Sequence, residues 1–164
     1  MKMKFTGELD IINICKYGMV LVFAVYIGLL LAMNADSQTA YDVVESAVFG
    51  SCDLEGLEKA DSMKIRKYYG FYDKDYDGVT LYTSKDAMGA EEILLVHTND
   101  LEQMTEVVES IEDRISRQKN NFDGYGTEQM KLLDQSVVDQ KGRYILMAIS
   151  PDAEKIREAF RKAL

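Results

Sequence analysis

Asp73, Asp75 and Asp77, with Gly78 directly behind them, put three carboxylates at alternate positions of one short turn, DKDYDG. That spacing matches the first half of an EF-hand calcium loop, which takes oxygen ligands at positions 1, 3 and 5 and turns sharply at a glycine. Position 12 of such a loop is a bidentate Glu, and here it is Ser84. The stretch after Gly78 reads as a strand where an EF-hand has a helix. The expectation is therefore two-fold: a calcium site on Asp73, Asp75 and Asp77, or an acidic turn whose aspartates brace a tight loop.

Nucleophilic chemistry is poorly served. His97 is the single histidine and closes an apolar stretch, ILLV, that reads as a strand. A Ser–His–Asp or Cys–His arrangement would need a serine or Cys52 to converge on it through the fold. A structural zinc site lacks ligands, and no Gly-rich phosphate loop occurs. Cys52 comes directly after VVESAVFGS and is expected to be a small buried residue; a free thiol and an intermolecular bridge are the other readings. The expectation is a non-catalytic interaction domain that carries no cofactor beyond the calcium just described; the alternative is a calcium-dependent module or an enzyme that uses the acidic loop 73–77. For recognition, the candidates are Phe122 and Tyr125 in NNFDGYG, aromatics that either offer contact area to a partner or fold inward.

These residues must be held by something, and one stretch decides where. Tyr17 to Met33, YGMVLVFAVYIGLLLAM, contains no charge in 17 residues. Begun at Ile14, it is long enough, at about 30 Å, to cross a hydrocarbon core as a helix. Lys16 at its edge can snorkel. Lys2, Lys4 and Lys16 precede it against Glu8 and Asp10, which places this end in the cytoplasm and the rest outside. A cleaved signal peptide is the competing reading, but the run exceeds the usual apolar length of about 7–15 residues. Neither Ala35 with Met33 nor Asn34 with Ala32 forms a clean small-residue pair. Ala24, Gly28 and Ala32 recur every four residues, a face on which two spans could approach closely as a homodimer.

The organisation expected is a cytoplasmic leader at 1–13, a transmembrane anchor at 14–33, a juxtamembrane turn at 34–39 and an extracytoplasmic domain at 40–164. From residue 34 onward there are 16 basic and 26 acidic residues, a net charge of −10. So acidic a domain excludes nucleic acid as a partner.

Within the domain, apolar spacing predicts helices over Ala40–Phe49, Leu57–Tyr69, Asp100–Lys119 and Thr127–Leu133. The third carries Leu101, Met104, Val107, Val108, Ile111 and Ile115 along one stripe. Strands are expected in GVTLYTS, EEILLVHT and the two arms of SVVDQKGRYILMAIS, with a last helix begun by Ser150 and Pro151. Glu92–Val108 aligns on Tyr144–Phe160 at a shift of 52, with five identities and Thr98 matching Ser150 as a helix cap. The pattern is that of two hairpin-plus-helix units, hence an α+β domain with about four antiparallel strands and helices on one face.

The stretch NNFDGYGTEQMKLLDQSVVDQKGRYILMAIS, with the long helix before it and AEEILLV, resembles the domain-of-unknown-function family numbered 4358. Phe122, Tyr125, Gln129 and Leu133 ahead of a Gly-centred hairpin carry the resemblance, which runs over about residues 40 to 164. It implies a small envelope protein of Clostridia-like Gram-positive bacteria, single-span or lipid-anchored, with no catalytic residue to transfer. This chain departs from the lipid-anchored form, since no cysteine comes directly after its apolar run.

Overall fold

The computed structural model describes residues 11–33, 39–124 and 126–164, and within the first of these the side chains from Lys16 to Gly28. It divides into two units, Met1–Ala35 and Asp36–Leu164.

In the first unit, α1 is a continuous helix over Ile11–Met33, 23 residues and so about 35 Å long. Its side chains from Tyr17 to Ile27 are exposed, Leu21 at 66% and Phe23 at 63% among them. Among the described residues no helix is long and apolar enough to cross a membrane; in α1 those side chains run only from Lys16 to Gly28. The leader at 1–10, the side chains at 14–15 and 29–33 (Ala32 with them), and the turn at 34–38 lie outside the described residues.

The second unit begins with α2, Tyr41–Phe49, then β1, Leu57–Lys59, and α3, Ser62–Tyr69. A short 3₁₀ turn at Asp73–Asp75 leads into β2, Gly78–Ser84, and β3, Glu92–His97. Next come α4, Leu101–Phe122; α5, Thr127–Asp134; β4, Val137–Lys141; β5, Tyr144–Ile149; and α6, Ala153–Ala163. All pairings are antiparallel, in the order β1-β2-β3-β5-β4. The domain is α+β, as the sequence implies, with five strands in place of about four.

The added strand comes from the start of the expected helix at Leu57. Asp61 accepts a hydrogen bond from Lys64 N at 2.8 Å and so caps α3 at that point. Leu57, Glu58 and Lys59 are left outside the helix and pair with Ser84, Thr83 and Tyr82. Gly70 closes α3 at φ 84°, a left-handed conformation that favours glycine. Asp100 caps α4 in the same way, taking Gln103 N at 2.9 Å; Thr98, expected as that cap, instead bonds Arg143 O.

The expectation of helices on one face is corrected. Ile93, Leu95, Leu146 and Ala148 meet Val44 and Val48 of α2 and Ile156 and Phe160 of α6 in one core. Leu94, Val96, Ile145 and Met147, alternating with them, meet Ile65 of α3, Val107 and Ile111 of α4 and Leu133 near the end of α5 in another. The sheet is thus sandwiched, which is why β3 and β5 are buried on both sides. The two aligned hairpin units meet at β3 and β5 and send α4 and α6 to opposite faces. At the sheet's margins, β1 has three residues, two of them charged, and β4 exposes Val138 and Gln140.

Candidate functional site

A cleft of about 490 Å³ lies between α3, α4 and the β2–β3 turn. Its floor is charged. Glu92, 2% exposed, opens β3 on the face that α4 covers. Arg114 reaches it from α4 with Nη2 at 2.7 Å and Nε at 3.2 Å from Oε2. One turn further on, Gln118 Nε2 donates to Oε2 at 2.8 Å, and the Tyr69 hydroxyl at the end of α3 donates to Oε1.

The network is closed from above. The Arg114 guanidinium lies 3.8 Å from the centroid of the Tyr68 ring, a cation–π contact in a partly dry site. Burial alone would lower the Arg114 pKa, but the Glu92 hydrogen bond outweighs it and holds the guanidinium charged. Burial, reinforced by Glu92, pushes the Tyr69 phenol well above its ordinary value. With donors from three residues on both oxygens, Glu92 has little capacity left to take a proton from a substrate. It orients Arg114, whose Nη1 points no hydrogen bond at any described residue.

Beside Glu92, across the β2–β3 ladder, stands Thr83. It is 4% exposed, lines the cleft, and its Oγ1 has no hydrogen-bond partner among the described residues. A buried hydroxyl left unpaired costs about 1–3 kcal/mol, so the position calls for an explanation. At the rim, Lys64 pairs with Glu58 at 2.8 Å and Lys85 Nζ donates to Glu55 O at 2.6 Å.

The residues singled out from the sequence lie elsewhere or on the margin. Asp73 Oδ2 accepts from the Ser62 hydroxyl at 2.6 Å. Asp75 is tied through its carbonyl, which accepts from Asn99 and Gln103. Asp77 sits 3.4 Å from Arg143 Nη1 and 3.9 Å from His97 Nδ1. The three carboxylates have different neighbours, and among the described residues no group of three His, Cys, Asp or Glu is placed to hold a metal ion.

His97 stacks on Tyr144 with centroids 4.0 Å apart. Cys52 is half-buried, and burial raises its thiol pKa, against a nucleophilic role. Phe122 ends α4 at 8% exposure within the core and borders the cleft, so it folds inward and offers a partner little surface. Its ring fills the space beside Gly126, where an added Cβ would come within 2.7 Å of it. Tyr125 lies outside the described residues. Ala24 and Gly28 are exposed on α1, and an added Cβ at Gly28 meets nothing within 4 Å.

Sequence reasoning missed Glu92, Arg114, Gln118 and Thr83. A signal for two of them exists. Val107, Ile111, Arg114, Gln118 and Phe122 fall at steps of 4, 3, 4 and 4, one continuous helix face. Polar residues that continue an apolar stripe are buried polar residues, and each needs a partner. Leu101, counted in the stripe, is 70% exposed at the first turn instead.

A family model described as "Domain of unknown function (DUF4358)" matches residues 50–150, well over half of the chain. The chain belongs to this family. No curated protein and no solved structure matches it. The DUF4358 region contains all five strands, α3, α4 and α5, and every residue that lines the cleft. It leaves out α1, α2 and α6. The resemblance read from the long helix and the hairpin therefore rests on the part of the fold that builds the cleft.

Proposed function

We propose that this protein is a single-span membrane protein that presents a DUF4358 domain outside the cytoplasm as a binding module, without catalysis. One observation carries the anchor: α1 is a continuous 23-residue helix whose described apolar side chains are exposed all round. A helix that is apolar on every side belongs in a core or a bilayer. The stretches flanking the described side chains, IINIC and LLLAM, are also free of charge, and the lysines before the span orient it with its N-terminus inside. The saturated Glu92 supports binding over acid–base chemistry, since a general base needs a lone pair free for the proton it takes.

Alkaline extraction of membranes from cells producing the full chain, then protease treatment of intact protoplasts, tests the reading. The protein should stay in the pellet, and protease should remove the domain. Release at high pH would overturn the anchor, and a domain that survives until lysis would overturn the orientation.

A further inference from the structure

We infer that the cleft above Glu92 and Arg114 is a binding site for an uncharged, hydroxyl-rich ligand, of which a short saccharide is the type. The inference rests on the reading of the domain as a binding module, and it does not depend on the anchor. The cavity, at about 490 Å³, falls in the range of small-molecule sites, about 300–1,000 Å³.

The unpaired Thr83 hydroxyl points to a ligand in a way that the ion pair beside it does not. Glu92 has its donors and Arg114 has its carboxylate, so both are accounted for by folding. Thr83 lines the cleft, and its Oγ1 is buried with neither donor nor acceptor among the described residues. A hydroxyl both donates and accepts, and its natural counterpart is a group that does the same: another hydroxyl. Asn121 on α4, which also lines the cleft, supplies an amide of the same dual character. Arg114 Nη1 adds N–H donors held in plane by the Glu92 clamp and the Tyr68 ring.

Charge selects the class. The cleft is lined by Glu58, Asp86, Glu91 and Glu92 against Lys64, Lys85 and Arg114, a balance of −1. Lys64 and Arg114 are neutralised by Glu58 and Glu92, and the domain around them is strongly acidic. An anion meets cations that already hold oxygens, Lys85 the Glu55 carbonyl among them, and a cation meets carboxylates that already accept, Asp86 from Met88 N and Glu91 from the Ser150 hydroxyl. A neutral polyol meets donors and acceptors in alternation and needs neither.

The experiment uses the full chain in detergent micelles, labelled with ¹⁵N and titrated with cellobiose, maltose or N,N′-diacetylchitobiose, with inorganic phosphate as the charged control. At least one sugar should move the amide signals of Thr83, Gln118 and Asn121 saturably. The variant Thr83→Val, which keeps the side-chain shape and removes the hydroxyl, should bind that sugar at least ten-fold more weakly while its unbound spectrum remains folded. The inference is overturned if none of the three sugars moves those signals, if phosphate moves them at lower concentration than any sugar, or if Thr83→Val binds as well as the parent. Membrane extraction of the same chain is unaffected by any of these results, so failure here is distinguishable from failure of the anchor.

Discussion

Thr83 and Glu92 face each other across two neighbouring strands, and the hydroxyl of the one finds no hydrogen-bond partner among the described residues while the carboxylate of the other accepts from three residues. A core arranged only for stability would place an apolar side chain at the first position. Replacing Thr83 by Val should therefore stabilise the protein by about 1 kcal/mol, the size of one relieved unpaired hydroxyl. Thermal melting checks this, and a loss of stability would mean that the hydroxyl is satisfied in solution.

The Glu92–Arg114 pair is held together because breaking it on one side strands a buried charge. Arg114→Met should cost about 3–5 kcal/mol, whereas Glu92→Leu combined with Arg114→Met should recover most of that loss. Urea denaturation of the single and double variants measures the difference. Additive losses would show that the two residues act independently.

The acidic turn should be indifferent to calcium. Asp73 holds Ser62, and Asp77 is drawn toward Arg143 and His97. Millimolar calcium should leave the melting temperature unchanged, and Asp75→Ala should not alter that response. A calcium-dependent rise that disappears in the variant would establish a site, since a ligand that binds the native state stabilises it.

Glu45 gives the domain a dependence on acid. Burial would raise its pKa, but the Thr80 hydroxyl at 2.6 Å and Lys59 at 3.0 Å outweigh burial and lower it. A carboxyl whose pKa is depressed by folding contributes stability above its unfolded pKa and loses it as pH falls through the folded value. Glu45→Gln should therefore narrow the gap in stability between neutral pH and pH of about 3. A parent and variant with parallel pH profiles would remove Glu45 from the explanation.

Much of the fold is written in periodicity. The apolar spacing of α2 and α4, the Gly-centred turns and the hairpin at Val137–Ile149 all appear where the sequence implies them. The unbroken runs ILLV and YILMAI also carried the two-sided sheet, because a strand with one wet face alternates. The alignment of the two units drew attention to their likeness and away from the faces on which their helices land. The cleft is less legible, since Thr83 and Glu92 lie on two strands whose spacing has no relation to the Arg114–Gln118 face of α4 until β2 pairs with β3 in register. Asp61 shows the limit from the other side: a single capping residue turned the start of an expected helix into a strand.

The sheet's margins have a bearing on life at high density. A protein tethered to a surface meets its own copies in two dimensions, where any exposed strand edge is a template for polymerisation. Here one margin is a strand of three residues bearing Glu58 and Lys59, both occupied in ion pairs with neighbouring elements. So short and charged a border offers an arriving strand few backbone groups to copy, and at this edge the crowding that the proposed anchor would bring finds no template.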